Sequence, residues 1–159
     1  MSPPDRDAVD QESLCRRCGV SCHVAIPLGR RALVVPGLHC CHLAPDGEKR
    51  FACRVYADRY KVAPWCHSAA EAAPAGYLAV DCPHGVHPGH GKTQLNEADL
   101  QRAWPELLER MLQWGLPVYI DHDALLREVE RRTGEAHQLQ PWPRDPERLR
   151  LVRRGPRQP

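Results

Sequence analysis

Three cysteines and a histidine fall within nine residues, Cys15-Arg-Arg-Cys18-Gly-Val-Ser-Cys22-His23, and this stretch restricts the chain more than any other. Five further cysteines follow at Cys40, Cys41, Cys53, Cys66 and Cys82, and none occurs in the last 77 positions. A C-x2-C pair supplies two thiolates on one tight turn whose backbone amides also point at the sulfurs. Gly19 lets that turn close. Cys22 stands near enough in sequence for a third ligand, and His23 for a fourth. Zinc takes four such groups tetrahedrally, mixing thiolate and imidazole. Iron–sulfur clusters combine closely spaced cysteines with a remote one, and Cys82-Pro83 has the form of a final ferredoxin ligand, although C-x2-C-x3-C is not the bacterial ferredoxin run. Both metals stay open.

Eight cysteines would also suit four disulfides, and the compartment separates the two readings. The opening residues, MSPPDRDAVDQESL, hold no basic stretch followed by an apolar run, so no secretory signal is expected. No segment approaches the ~20 apolar residues that cross a bilayer. The expectation is a cytoplasmic protein with reduced thiols, no membrane partner, and cysteines gathered around a metal ion. With 42% apolar residues and 16 prolines the core should be thin, the condition under which small domains add cross-links.

The chain divides by composition. Residues 1–13 are polar and read as disordered. Residues 14–93 form the cysteine-cluster region. Within it Arg31–Val35 reads as a strand ending at a Pro36-Gly37 turn, with Leu38–Leu43 able to pair back on it. A second turn at Asp46-Gly47 precedes Phe51–Tyr56, where Phe51, Cys53 and Val55 share a strand face; a helical turn over Cys53–Tyr60 competes. Such a hairpin would hold Cys40, Cys41 and Cys53 near one another. Ser68 and Glu71 have capping-box spacing for a short helix cut off by Pro74 and Gly76.

Residues 94–137 lack cysteine. Leu100, Trp104, Leu107, Leu108, Met111 and Trp114 make one helical face, with Asn96 as N-cap and Gly115 as stop. Pro105 predicts a kink or break. Leu116–Ile120 reads as extended, and Asp121 or Asp123 caps a second helix ending near Gly134. Residues 138–159, rich in proline and arginine, read as an irregular tail. The expected fold is α+β: a small irregular metal-stapled domain with a short β-hairpin, packed against two or three helices.

CRRCGVSCH, CCHL, CRVYADRYKVAPWC and DCP together resemble the zinc- or iron-chelating cysteine-cluster family, often called YkgJ-like, over about residues 15–83. The resemblance matches Cys15, Cys18 and Cys22 to the family's opening cluster and Cys40 to the cysteine three before Leu43. It matches Cys53 to the one before Val55-Tyr56, and Cys66 to the one after the Arg59 segment. His23 stands where the family often has another cysteine, Tyr60 replaces an expected proline, and Cys41 is extra. What the resemblance implies is metal chelation, by zinc or an iron–sulfur cluster, without an established reaction.

Net charge is +2, too small to imply a polyanionic partner; only the basic end, six arginines against two acids from Arg144 to Arg157, points toward nucleic acid, and a solvated tail explains it more simply. His84, His87 and His90 recur every third residue in a loop that could ligate metal or be merely solvated. Gly89–Thr93 lacks the glycine and the preceding strand of a phosphate loop. Cys22-His23 and Cys66-His67 are sequence neighbours, which seldom supply nucleophile–base geometry, so no catalytic residue is assigned. The function expected is metal binding through Cys15, Cys18, Cys22, Cys40, Cys41, Cys53, Cys66, Cys82 and His23 in a structural or adaptor role, with a protein partner. The alternatives are iron–sulfur electron transfer beside a partner enzyme, and a metal carrier.

Overall fold

The computed structural model describes residues 15–85 and 90–155. The sequence expectation of disorder over residues 1–13 lies outside them. The chain is an α+β protein that divides into two interleaved units. A helical unit comprises His23–Cys41 and Gln94–Pro159; a cysteine-rich unit comprises Met1–Cys22 and His42–Thr93.

In the helical unit, β1 (His23–Leu28) pairs antiparallel with β2 (Arg31–His39), Ile26 opposite Leu33. The loop between them is two residues, with Gly29 left-handed at φ 60°. A glycine first in a two-residue hairpin loop matches the strand twist. Two expectations fail here. Leu38–Leu43 is not the partner of β2, and Pro36-Gly37 does not end the strand. The register instead slips between His23 and Ala25, which face His39 and Val34. The bulge absorbs Pro36, which has no N–H to give the ladder, and Gly37, at φ 83°.

The helix α3 (Glu97–Gln113) starts where Asn96 accepts the Asp99 N–H at 2.8 Å, and runs through Pro105 without interruption. Burial of Leu100, Trp104, Leu107, Leu108 and Met111, each contributing about 1.5–3 kcal/mol, outweighs the ~3 kcal/mol a helical proline costs. Gly115 is not its stop: the chain turns extended at Trp114. Next, β6 (Leu116–Pro117) leads to α4 (His122–Thr133), capped by Asp121 on the Ala124 N–H at 2.9 Å and closed by left-handed Gly134.

The expectation of an irregular tail is overturned over most of its length. β7 (His137–Trp142) and β8 (Asp145–Arg153) form a hairpin, and the sheet order is β6-β8-β7. Pro141 is tolerated because β7 is an edge strand. Leu149 and Leu151 alternate inward against exposed Arg148 and Arg150, a period of two that the prolines and arginines obscure. Both strands of the first hairpin, both helices and β8 contribute to one apolar core, with Leu33, Val35, Leu38, Leu107, Met111 and Leu125 fully buried. Arg132 clamps the helices: its side chain, 1% exposed, pairs with Glu128 at 2.5 Å and Glu97 at 3.1 Å, and its guanidinium lies 5.1 Å from the Trp104 ring.

The cysteine-rich unit is built differently. β3 (Leu43–Pro45) and β4 (Phe51–Cys53) make a short hairpin across the expected Asp46-Gly47 turn. Beyond Cys53 the competing helical reading holds, as a 3-10 turn at Tyr56–Asp58 and one turn of helix, α1 (Arg59–Val62). The Ser68 capping box starts α2 (Ala69–Ala75) as expected. Gly76, left-handed at φ 77°, ends it with its own N–H on Ala73 O and the Tyr77 N–H on Ala72 O. Among the described residues the unit buries seven apolar side chains, Val20, Leu43, Leu78 and four alanines, whereas the helical unit buries sixteen.

A Cβ at Gly37 would stand 2.7 Å from the Ala124 carbonyl oxygen, at a φ that side chains resist. Gly37→Ala should therefore destabilise the protein by at least ~2 kcal/mol in chemical denaturation, above the ~1–2 kcal/mol of the left-handed backbone alone. A loss below ~0.5 kcal/mol would show that the bulge relaxes.

Candidate metal-binding site

All eight cysteines are thiols, Cys15 exposed and the rest half-buried. Six of the nine candidate ligands belong to the cysteine-rich unit: Cys15, Cys18, Cys22, Cys53, Cys66 and Cys82. Cys15 to Gly19 form a loop without regular structure, and Val20–Cys22 a 3-10 turn. Two left-handed residues, Arg17 at φ 53° and Gly19 at φ 70°, coil this loop. The Arg17 N–H points at Cys15 Sγ across 3.4 Å, the amide-to-sulfur geometry expected of a C-x2-C turn. Gly19 is needed for space as well as for its φ: a Cβ there would meet the Phe51 ring at 2.8 Å.

Three ties join this loop to segments far away in sequence. Arg16 donates two hydrogen bonds to the Asp81 carboxylate, at 2.9 and 3.1 Å, beside Cys82. Cys18 and Cys82 are both close enough to act electrostatically on the Arg16 guanidinium. The Phe51 N–H donates to Arg17 O at 2.9 Å, bringing β4 and its Cys53 alongside, and Arg17 pairs with Asp46 at 3.6 Å. Lys92, in β5 (Lys92–Thr93), reaches Val20 O at 3.4 Å and Ser21 O at 3.3 Å, while its backbone is held by Leu78. Cys66 sits between α1 and α2 with its N–H on Ala63 O.

Two charged side chains here depart from their usual pKa values. The Arg16 hydrogen bonds hold the Asp81 carboxyl below the usual carboxylate range. Lys92 is only 8% exposed, and burial lowers its pKa to about 8, opposed by the negative charge of a Cys22 thiolate. As they stand, no three His, Cys, Asp or Glu side chains among the described residues are placed to hold a metal ion. The donor chemistry suits a thiophilic metal; a closed coordination sphere is not preformed.

The other three candidates, His23, Cys40 and Cys41, belong to the helical unit. His23 and His39 pair opposite each other across the first hairpin, both buried, with ring centroids 5.1 Å apart. Cys40 bridges Ile120, and the Cys41 N–H donates to Tyr119 O at 2.9 Å. Burial, then the neighbouring Cys40 thiol, pushes the Cys41 pKa up, so this thiol resists ionisation.

The Tyr56-x-x-Arg59 spacing has a local structural role. Arg59 lies over the Tyr56 ring at 4.0 Å and the Tyr60 ring at 4.4 Å, and donates to Tyr56 O. That stack joins residues within the link from Cys53 to Cys66. Of the histidine loop, His87 lies outside the described residues; His84 is half-buried, and exposed His90 has Nε2 3.2 Å from Pro74 O. Sequence reading missed Arg16, Asp81 and Lys92, since a lone charged residue carries no periodic or motif signal. No helix among the described residues is long and apolar enough to cross a membrane. Compared with family models, curated proteins and solved structures, the chain matches none.

A lysine whose pKa falls on folding from 10.5 to about 8 binds fewer protons in the native state than in the unfolded chain between those values. Stability should therefore rise with pH across that window, by up to ~3 kcal/mol. Lys92→Met should remove the rise, as read by denaturation at pH 7, 8.5 and 10, and the comparison is made in a Cys22→Ser background so that the thiol coupled to Lys92 does not contribute. Parallel profiles for the two would mean that Lys92 is not buried as a cation.

Proposed function

We propose that the thiolates of Cys15, Cys18, Cys22, Cys53, Cys66 and Cys82 chelate a metal, zinc or an iron–sulfur cluster. The metal's role is structural, in a protein that works as an adaptor rather than an enzyme. One observation carries this reading. The Arg16–Asp81 and Phe51–Arg17 bonds tie the Cys15–Cys22 loop to the segments bearing Cys82 and Cys53, in a unit whose apolar core is mostly alanine. A unit with so little to bury needs another source of stability, and metal–thiolate bonds linking residues up to 67 apart in sequence would supply it. The resemblance to the YkgJ-like family supports the same chemistry.

The chain's own residues have definite parts in this. Gly19 and Arg17 shape the loop that presents Cys15, Cys18 and Cys22. Arg16 and Lys92 offset the negative charge that accumulates as thiols ionise. Coordination draws the sulfurs closer than they stand, so binding and ordering of the unit are one process. His23, Cys40 and Cys41 are not required: four ligands suffice for zinc, and burial with the Cys40 thiol pushes the Cys41 pKa up.

Protein purified without metal-affinity resin should contain stoichiometric zinc, or be brown with absorbance near roughly 400 nm if iron–sulfur. Cys18→Ser and Cys82→Ser should each lower the metal content at least twofold, and Cys41→Ser should leave it unchanged. A chelator should raise amide exchange in His42–Thr93 while α3 and α4 keep their protection. Metal-free protein that takes up neither zinc nor iron on reconstitution would end the proposal.

A further inference from the structure

The helical unit contains a cleft that metal binding does not use. It is an open surface depression between the end of α3 and the β7–β8 turn, with a volume of about 410 Å3. Gln113, Trp114, Gly115, Trp142, Asp145 and Arg148 line it. We propose that this cleft is a nucleobase site and that the outer face of the β7–β8 hairpin carries single-stranded nucleic acid past it.

Two indoles from different elements line one cleft, and Trp114 is 37% exposed although it ends an otherwise well-buried apolar face. Every base has a π-face, so such walls bind bases by stacking. The charges around them favour an anion over a cation. The Arg110 guanidinium lies 5.3 Å from the Trp114 ring, and Arg148 lines the cleft itself. The one lining carboxylate, Asp145, is engaged: Oδ1 accepts the Glu147 N–H at 3.0 Å and Oδ2 is 4.0 Å from Arg148 Nε.

Arg148 is positioned rather than loose. It donates to Gly115 O at 3.0 Å, and a Cβ on Gly115 would stand 2.9 Å from its Cδ. Gly115 is therefore there to let the Arg148 side chain lie close, since α3 has already ended. From the cleft, strand alternation continues the basic surface. Leu149 and Leu151 turn inward, so Arg148 and Arg150 share the opposite face, where Arg150 donates to Gln140 at 3.2 Å across the ladder. Of the five arginines from Arg144 to Arg154, Arg153 falls on the Leu149 and Leu151 side and pairs with Glu135 at 3.7 Å, so Arg148 and Arg150 are the strand's outward pair. Guanidiniums spaced along a strand suit successive phosphates, and amides beside them suit base edges. In a duplex the bases are stacked on one another and cannot enter the cleft.

The test is fluorescence anisotropy of a labelled single-stranded oligouridylate of about twelve nucleotides with the full-length chain. Affinity should fall steeply between ~50 and ~200 mM salt. Trp142→Ala and Arg148→Ala should each weaken binding about tenfold, the scale of one lost base stack. Trp142→Phe should retain most of it. Gly115→Ala, which displaces Arg148 without removing a ring or a charge, should also weaken it and decides the matter should Trp142→Ala fail to fold. Arg102→Ala, on the exposed side of α3, should have no effect. Added chelator should change little, so this outcome is separable from the metal reading. No binding by the native chain at ~50 mM salt would overturn the proposal. So would equal affinity for duplex, uridine monophosphate binding as tightly as the oligomer, or indifference to both Arg148→Ala and Gly115→Ala.

Discussion

Among its described residues the cysteine-rich unit buries few large apolar side chains. Four of its seven buried apolar residues among those described are alanine, and none is aromatic. Hydrophobic burial scales with area, so these side chains contribute far less than the leucines, methionine and tryptophan of the helical unit. Other interactions must then hold the unit's loops: Arg16 on Asp81, Phe51 on Arg17, Lys92 on the carbonyls of Val20 and Ser21. The first of these is exposed, and exposed ion pairs contribute about 0–1 kcal/mol each. That tie positions its segments more than it stabilises the unit. That shortfall is what makes a thiolate-bound metal the best-supported reading.

The two units illustrate two ways of holding a chain. In the helical unit the backbone carries expensive features, a proline inside α3 and a left-handed glycine in β2, and a continuous core offsets both. In the cysteine-rich unit the same kinds of residue do local work. Gly19 makes room for Phe51, Gly76 ends α2, and Arg59 stacks on two tyrosines. The helical unit is held by its core, and under the proposed function the cysteine-rich unit would gain order from what its sulfurs bind.

Electrostatics ties the chemistry to the fold. A buried lysine is costly, and Lys92 persists because carbonyl oxygens and a nearby thiol surround it. Cys41 experiences the reverse, with burial and a second thiol opposing its ionisation. The surroundings of Cys41 and Lys92 thus oppose the charged form of each, which a count of residue types does not convey.

Local chemistry in the sequence determined the caps and turns: Asn96, Ser68 with Glu71, Asp121, Gly134 and Asp46-Gly47 all act where their side chains or φ values direct, because each needs only neighbours a few residues away. The apolar stripe of α3 and the α+β class were legible for the same reason. Only tertiary structure decided that α3 survives Pro105, that Pro36-Gly37 is a bulge, and that the arginine-rich end is a hairpin. Each outcome depends on residues distant in sequence: the shared core for α3, Ala124 and Glu128 beside Gly37, and inward Leu149 and Leu151 for the hairpin. It was tertiary structure, too, that put His23, Cys40 and Cys41 in one unit and the other six candidate ligands in another. Spacing along a chain says which thiols can share a loop; the pairing of β1 with β2 says which loops belong together.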